Sequence, residues 1–269
     1  MGGQDTRALF SRLREIVQAD GRVALATVIS NLSDLNVRPA AKMLIFPDGQ
    51  VEGTLGHADL DARVLADAQK LLAAGKSRTQ TYAFASGEVE VYVESVLPPT
   101  PLVVIGGDPD AVPIVNLGKQ LGFKVILVDH RPNFANRERY PAADETVVAT
   151  PEELAEKVRF DAETFVLVKT HNYLKDKEIL KTVLKSPARY VGQLGPRARM
   201  NDLLADLRKE GFEFSEAELS RLYAPVGLDL AAESPEQIAV SILGEMLAVK
   251  SGRAGGFLRE QSGAIHPRE

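Results

Sequence analysis

Two hydrophobic rhythms divide the chain. Over residues 6–20 the apolar side chains Leu9, Phe10, Leu13, Ile16 and Val17 recur at helical spacing, which predicts an amphipathic helix ended by Gly21. Apolar runs at 23–30 and 42–46 predict strands, and Pro47-Asp48-Gly49 turns the second back onto 50–54 as a hairpin. A helix over 60–74 closes on Gly75, and 79–84 and 88–96 alternate as two strands around Ser86-Gly87. Residues 1–97 therefore read as a small α+β domain. Pro98, Pro99 and Pro101 then favour a stiff, extended connection. Beyond them apolar strand runs alternate with amphipathic helices, the signature of a parallel sheet, so 98–269 reads as a Rossmann-like domain. Strands are expected at 102–105, 124–129, 145–148, 164–169 and 190–193. Helices are expected at 111–121, 151–158, 176–185, 197–210, 215–221 and 235–250, the last capped by Ser234 with Pro235 at its first position. The polar, glycine-rich tail after Ser251 is expected to be mobile at its end.

The first βαβ unit of the second domain organises the rest. A β-branched run reaches Ile105, Gly106-Gly107 makes a turn, a helix follows to Leu121, and the next run ends in Asp129. That is the layout of a dinucleotide-binding unit, with an acid placed to hydrogen-bond a ribose. The glycine pattern is altered. Gly106 takes the first place of G-x-G-x-x-G/A and Ala111 the third, but Asp108 stands at the second. A carboxylate there adds bulk and like charge where a pyrophosphate needs bare backbone. Asp108 is open to three readings: repulsion of phosphate, acceptance of a hydrogen bond from a base or sugar, or a cap on the following helix with Pro109 at its first position.

In an open parallel sheet ligands bind beyond the carboxyl ends of the strands. The rule selects Gly106, Gly107 and Asp108 after the first strand, and Asp129, His130 and Arg131 after the second. It selects Lys169, Thr170 and His171 after the fourth, and Gly192, Gln193, Gly195, Arg197 and Arg199 after the fifth. The last group, with two glycines, a proline at a helix start and two arginines, suits an anion; the plainer reading is a helix whose arginines are solvated. His171 reads either as a general base or ligand-orienting donor, or as a strand-end histidine with one structural hydrogen bond. His130 reads as solvent-facing. In the first domain Arg38, His57 and Asp59 are candidates for a polar site, with His57 and Asp59 equally readable as a helix N-cap arrangement.

Composition narrows the classes. The net charge of −5 argues against a general nucleic-acid binder. With no cysteine there is no disulfide, thiolate nucleophile or thiolate-held metal. The four histidines, His57, His130, His171 and His266, are too scattered for a local zinc motif. No apolar run approaches the roughly 18 residues of a membrane span, and Arg7, Arg12, Arg14 and Glu15 interrupt any signal-peptide core. A cytoplasmic protein is expected.

Several stretches resemble the XdhC/CoxI family, the accessory proteins of xanthine dehydrogenase and related molybdenum hydroxylases. They are residues 224–245, residues 129–139 (Asp-His-Arg-Pro-Asn-Phe-Ala-Asn-Arg-Glu-Arg), Thr170-His171, residues 190–195, Arg38-Pro39 and Ala41-Lys42-Met43. The resemblance implies a carrier that binds the molybdenum cofactor (molybdopterin), assists its sulfuration and delivers it to an apo-molybdenum hydroxylase, with chaperone-like character rather than turnover. It also implies a cysteine desulfurase-type sulfur donor as partner. A homodimer is expected from the apolar content of 240–249. Two places depart from the family pattern. Where its N-terminal loop carries cysteine this chain has Asp59, and Asp108-Pro109 replaces a glycine and a histidine in the Rossmann turn. Two other readings stand beside this one. They are an NAD(P)-dependent oxidoreductase, which Asp108 weakens, and a non-catalytic docking module that has lost the cofactor site.

Overall fold

The computed structural model describes residues 2–260 and residue 262, with only the backbone for 2–6; His266 and the far end of the tail lie outside the described residues. The chain forms two compact units, Met1–Pro99 and Thr100–Glu269.

The first unit is an antiparallel sheet with a helix against each face. Its strands are β1 (Val23–Asn31), β2 (Lys42–Ile45), β3 (Val51–Gly53), β4 (Arg78–Phe84) and β5 (Gly87–Val96), in the order β3-β2-β1-β5-β4. Period-two alternation makes both faces apolar at the start of β1. Ala24, Ala26 and Val28 face Leu60, Val64, Ala68 and Leu72 of α2 (Ala58–Ala74). Val23 and Leu25 join Leu44, Leu9, Leu13 and Ile16 of α1 (Gly2–Gln18). α2 ends as expected in a left-handed Gly75. α1 does not end on a left-handed glycine. Asp20 takes the positive φ of 53°, and Gly21 instead packs so closely that a Cβ would meet Ile16 Cγ2 at 2.8 Å.

The second unit is a six-stranded parallel sheet, in the order β11-β10-β9-β6-β7-β8. Its strands are β6 (Pro101–Ile105), β7 (Lys124–Asp129), β8 (Glu145–Val148), β9 (Phe165–Val168), β10 (Tyr190–Gln193) and β11 (Leu222–Tyr223). Numbered from the first strand of this unit the order is 3-2-1-4-5-6, the doubly wound arrangement whose switch point lies between β6 and β9. β6 and β9 are buried on both faces, as their unbroken apolar runs require. On one face α3 (Ala111–Gln120) and α8 (Pro235–Ser251) cover Leu102, Val104, Phe165 and Leu167. On the other, α5 (Tyr173–Lys185) and α6 (Arg197–Lys209) cover Val103, Val166, Val168 and Val191.

α8 starts as its sequence indicates, with Ser234 and Gln237 forming a capping box. Its Ile242, Leu243 and Met246 are fully buried while Val240 stays exposed. Three expectations shift. The helix at 151–158 is a 3₁₀ turn, Pro151–Glu153, followed by one turn, α4 (Leu154–Lys157). The helix at 215–221 is the single turn α7 (Glu216–Leu219). α5 begins at Tyr173 rather than 176, because Asn172 caps it by accepting from Lys175 N–H at 3.1 Å. Among the described residues no helix is long and apolar enough to cross a membrane.

Candidate functional site

Because all strands of the second sheet run parallel, the loops after β6, β7, β9 and β10 emerge on one rim. Cross-loop bonds tie them together. Asp129, at the end of β7, is 4% exposed. Its carboxylate accepts from Gly107 N–H at 2.7 Å, from Arg131 N–H at 2.9 Å, and from Arg131 Nε and Nη2 at 2.9 and 2.8 Å. Burial pushes the acid up, but the bonds from Arg131 and the backbone outweigh it and hold the carboxyl at about 2. Arg131 also reaches Asp108 Oδ1 at 3.1 Å, and its guanidinium lies 3.6 Å from the centre of the Phe134 ring. The acid available to a ribose is thus already saturated by the protein.

The glycine turn is closed in the same way. Gly106 has φ of +119°, and a Cβ on it would stand 2.5 Å from Lys169 O; a Cβ on Gly107 would stand 2.5 Å from Phe134 O. The Tyr140 hydroxyl donates to Gly107 O at 2.7 Å and to Asp108 O at 3.0 Å. Both glycines are therefore required by close approach of the chain's own backbone. The capping reading of Asp108 does not hold: α3 starts at Ala111 with Asp110 in the cap position, and Asp108 turns to Arg131 instead.

Asp110 bridges the switch point. Its Oδ1 lies 2.7 Å from Lys169 Nζ, a side chain with no exposed surface, and its Oδ2 lies 3.0 Å from His171 Nε2. Burial raises the Asp110 carboxyl, but the bonds from Lys169 and His171 prevail and leave it below the ordinary range. His171 is half exposed, and its φ of +55° is unusual for a residue with a side chain. It does make a hydrogen bond, and a carboxylate orients its ring.

A second buried acid, Asp176 in α5, gathers the neighbouring loops. It accepts from Thr170 Oγ1 at 2.5 Å, Gln193 Nε2 at 3.1 Å and Arg199 Nη2 at 2.7 Å. Arg199 is thereby an internal tie rather than a solvated arginine. Arg197 opens α6, is exposed, and meets no carboxylate among the described residues. Gly195 has the positive φ of +137° that the turn into α6 needs, and Gly192 is packed under Tyr190 and Val226. His130 is not solvent-facing: Nδ1 lies 3.1 Å from Asp129 Oδ1, and Nε2 meets Lys175 Nζ. Sequence reasoning gave no role to Asp110, Tyr140, Lys175 or Asp176. Lys169, a charge closing the apolar run of β9, was the one available signal of a paired buried group.

Residues 102–246 match the XdhC Rossmann domain and residues 16–83 match the XdhC and CoxI family. The chain belongs to the XdhC and CoxI family. A Bacillus subtilis protein named as a probable xanthine dehydrogenase subunit is 32% identical over 160 residues, covering 60% of this chain and 46% of that protein. An uncharacterized Escherichia coli protein, YqeB, is 27% identical over 271 aligned positions, covering 96% of this chain and 49% of that one. The chain thus spans about half the length of these curated relatives. The crystal structure of a xanthine dehydrogenase from Bacillus halodurans shares the fold at TM-score 0.53 and 23% identity, over 90% of this chain and 96% of that chain.

The other candidates of this XdhC-family chain lie in its first unit. Asp59 is exposed in the first turn of α2, 3.9 Å from Arg63. His57 occupies the cap position of α2, but its side chain makes no capping bond and its Nδ1 is buried without a partner. Asp61, in the first turn of α2, ties down the preceding loop instead, accepting from Leu55 N–H at 2.8 Å and Thr54 Oγ1 at 2.6 Å. Arg38 is exposed in the loop before β2. Among the described residues no group of three or more His, Asp or Glu is placed to hold a metal ion.

Proposed function

We propose that this chain is an accessory factor for a xanthine dehydrogenase-type molybdenum hydroxylase, and that it holds the molybdenum cofactor by its anionic end at the rim of the parallel sheet. The observation that carries this reading is the family match of both units, joined to a relative whose name ties it to xanthine dehydrogenase. The residues suit a carrier better than the hydroxylase itself. These 269 residues contain no cysteine, so they cannot ligate an iron–sulfur centre through thiolates. The rim supports only part of the cofactor. Lys175 and Arg197 offer cations to a phosphate, but no thiolate is present to bind molybdenum or carry sulfur. The bound cofactor would supply the oxo-transfer chemistry of the client enzyme. The chain's own residues would orient its anionic end and shield it from water.

An NAD(P) oxidoreductase is the weaker reading, since the ribose-binding acid and the glycine turn are both occupied from within. The absence of the family cysteine favours, as second reading, a docking module that recruits the hydroxylase and its sulfur donor without holding the cofactor. Co-expression with active cofactor synthesis tests the choice. Purified protein should carry molybdenum by mass spectrometry and pterin by fluorescence, and should activate the apo-hydroxylase. Activation with neither molybdenum nor pterin would establish docking alone, and no activation would remove the accessory role.

A further inference from the structure

Lys175 is a cation in an unusual place. It is the third residue of α5, where the helix N-terminus disfavours positive charge. Among the described residues its ammonium meets no carboxylate; its side-chain partner is His130. An ammonium has no lone pair, so His130 Nε2 must be the acceptor, and the ring proton therefore sits on Nδ1, facing Asp129 Oδ1 at 3.1 Å. Asp129, held ionised by Arg131 and the Gly107 amide, thus fixes the ring of His130, and His130 fixes Lys175. Gly106, Asp129, His130, Thr170 and Lys175 line the polar side of a cavity of about 10 Å³, room for one water, whose remaining lining is apolar. The ammonium uses one donor on His130 and leaves two for that space or the solvent beyond it.

We propose that Lys175 is the phosphate-holding residue of this rim, with His130 as its positioning residue, and that the ligand class is a phosphate monoester or phosphoanhydride. The proposal rests on the cofactor-carrier reading only for the identity of the molecule bearing the phosphate. Apart from the exposed Arg197, the neighbouring cations are less suited. Arg131 and Arg199 each serve a buried acid, and Lys169 is enclosed with Asp110.

The test titrates the full chain with inorganic phosphate, NAD⁺ and purified molybdenum cofactor by calorimetry and ³¹P NMR. Wild-type protein should bind inorganic phosphate. Lys175→Met should weaken that binding by about tenfold or more, the loss of one charge-assisted contact, while Lys175→Arg stays within about threefold. His130→Gln, which keeps an acceptor near Nε2, should restore most of the affinity that His130→Leu loses. Circular dichroism shows that each variant is folded. Phosphate binding that depends on Lys175, with no uptake of pterin, would leave the site standing and remove the cofactor reading. Pterin binding unchanged in Lys175→Met, phosphate binding lost through Arg197→Ala instead, or no phosphate binding by wild type would each overturn the proposal.

Discussion

Replacing Asp129 by asparagine removes the charge on which the loops after β6 and β7 converge. A carboxyl held at about 2, against roughly 3.9 in an unfolded chain, contributes about 2.5 kcal/mol to folding at neutral pH. A fully buried ion pair broken on one side costs about 3–5 kcal/mol. Arg131 is partly exposed, so its guanidinium can rehydrate and the cost falls below that range. The asparagine amide must also turn its oxygen toward Gly107 N–H, leaving its NH₂ facing a guanidinium. The expected loss is about 3 kcal/mol, which for the unit Thr100–Glu269 lowers the melting temperature by about 6–12 °C. The pH dependence has a definite sign. A depressed carboxyl stabilises fully above its unfolded value and loses that contribution as pH falls toward its folded one. The gap between wild type and Asp129→Asn should therefore be widest above pH 5 and close between about pH 4 and pH 2. Differential scanning calorimetry at neutral and acid pH measures both. A melting shift below about 1 °C at pH 7, or a gap as wide at pH 2 as at pH 7, would refute the assignment of Asp129 as the electrostatic anchor of the rim.

Two further perturbations probe the switch point. Asp110→Asn strands the enclosed Lys169 ammonium and should cost about 3–5 kcal/mol in urea denaturation, whereas Asp110→Asn with Lys169→Met should recover most of it; additive losses would show the pair to be uncoupled. Gly106→Ala drives a methyl into Lys169 O at positive φ and should destabilise by about 3 kcal/mol or more, while Gly122→Ala, also at positive φ but with nothing within 4 Å, should cost only about 1 kcal/mol. Equal effects at the two glycines would mean that backbone conformation alone, not close approach, sets the requirement at Gly106.

The sequence determined the architecture because architecture follows local period. Unbroken β-branched runs could only be strands buried on both faces, and their alternation with helices required a parallel sheet. The caps at Ser234 and Gly75 were legible because capping acts within four residues. What escaped was either too short or too distant. β11 has two residues and no period of its own; it exists because β10 offers it an edge. Asp110 finds Lys169 across 59 positions and Asp176 finds Arg199 across 23, pairings that only the strand order brings about. The composition supplied the charges and the fold class supplied the rim. Which acid holds which base on that rim was decided in three dimensions. Coulombic partnership depends on distance through space, and burial makes each choice costly to exchange.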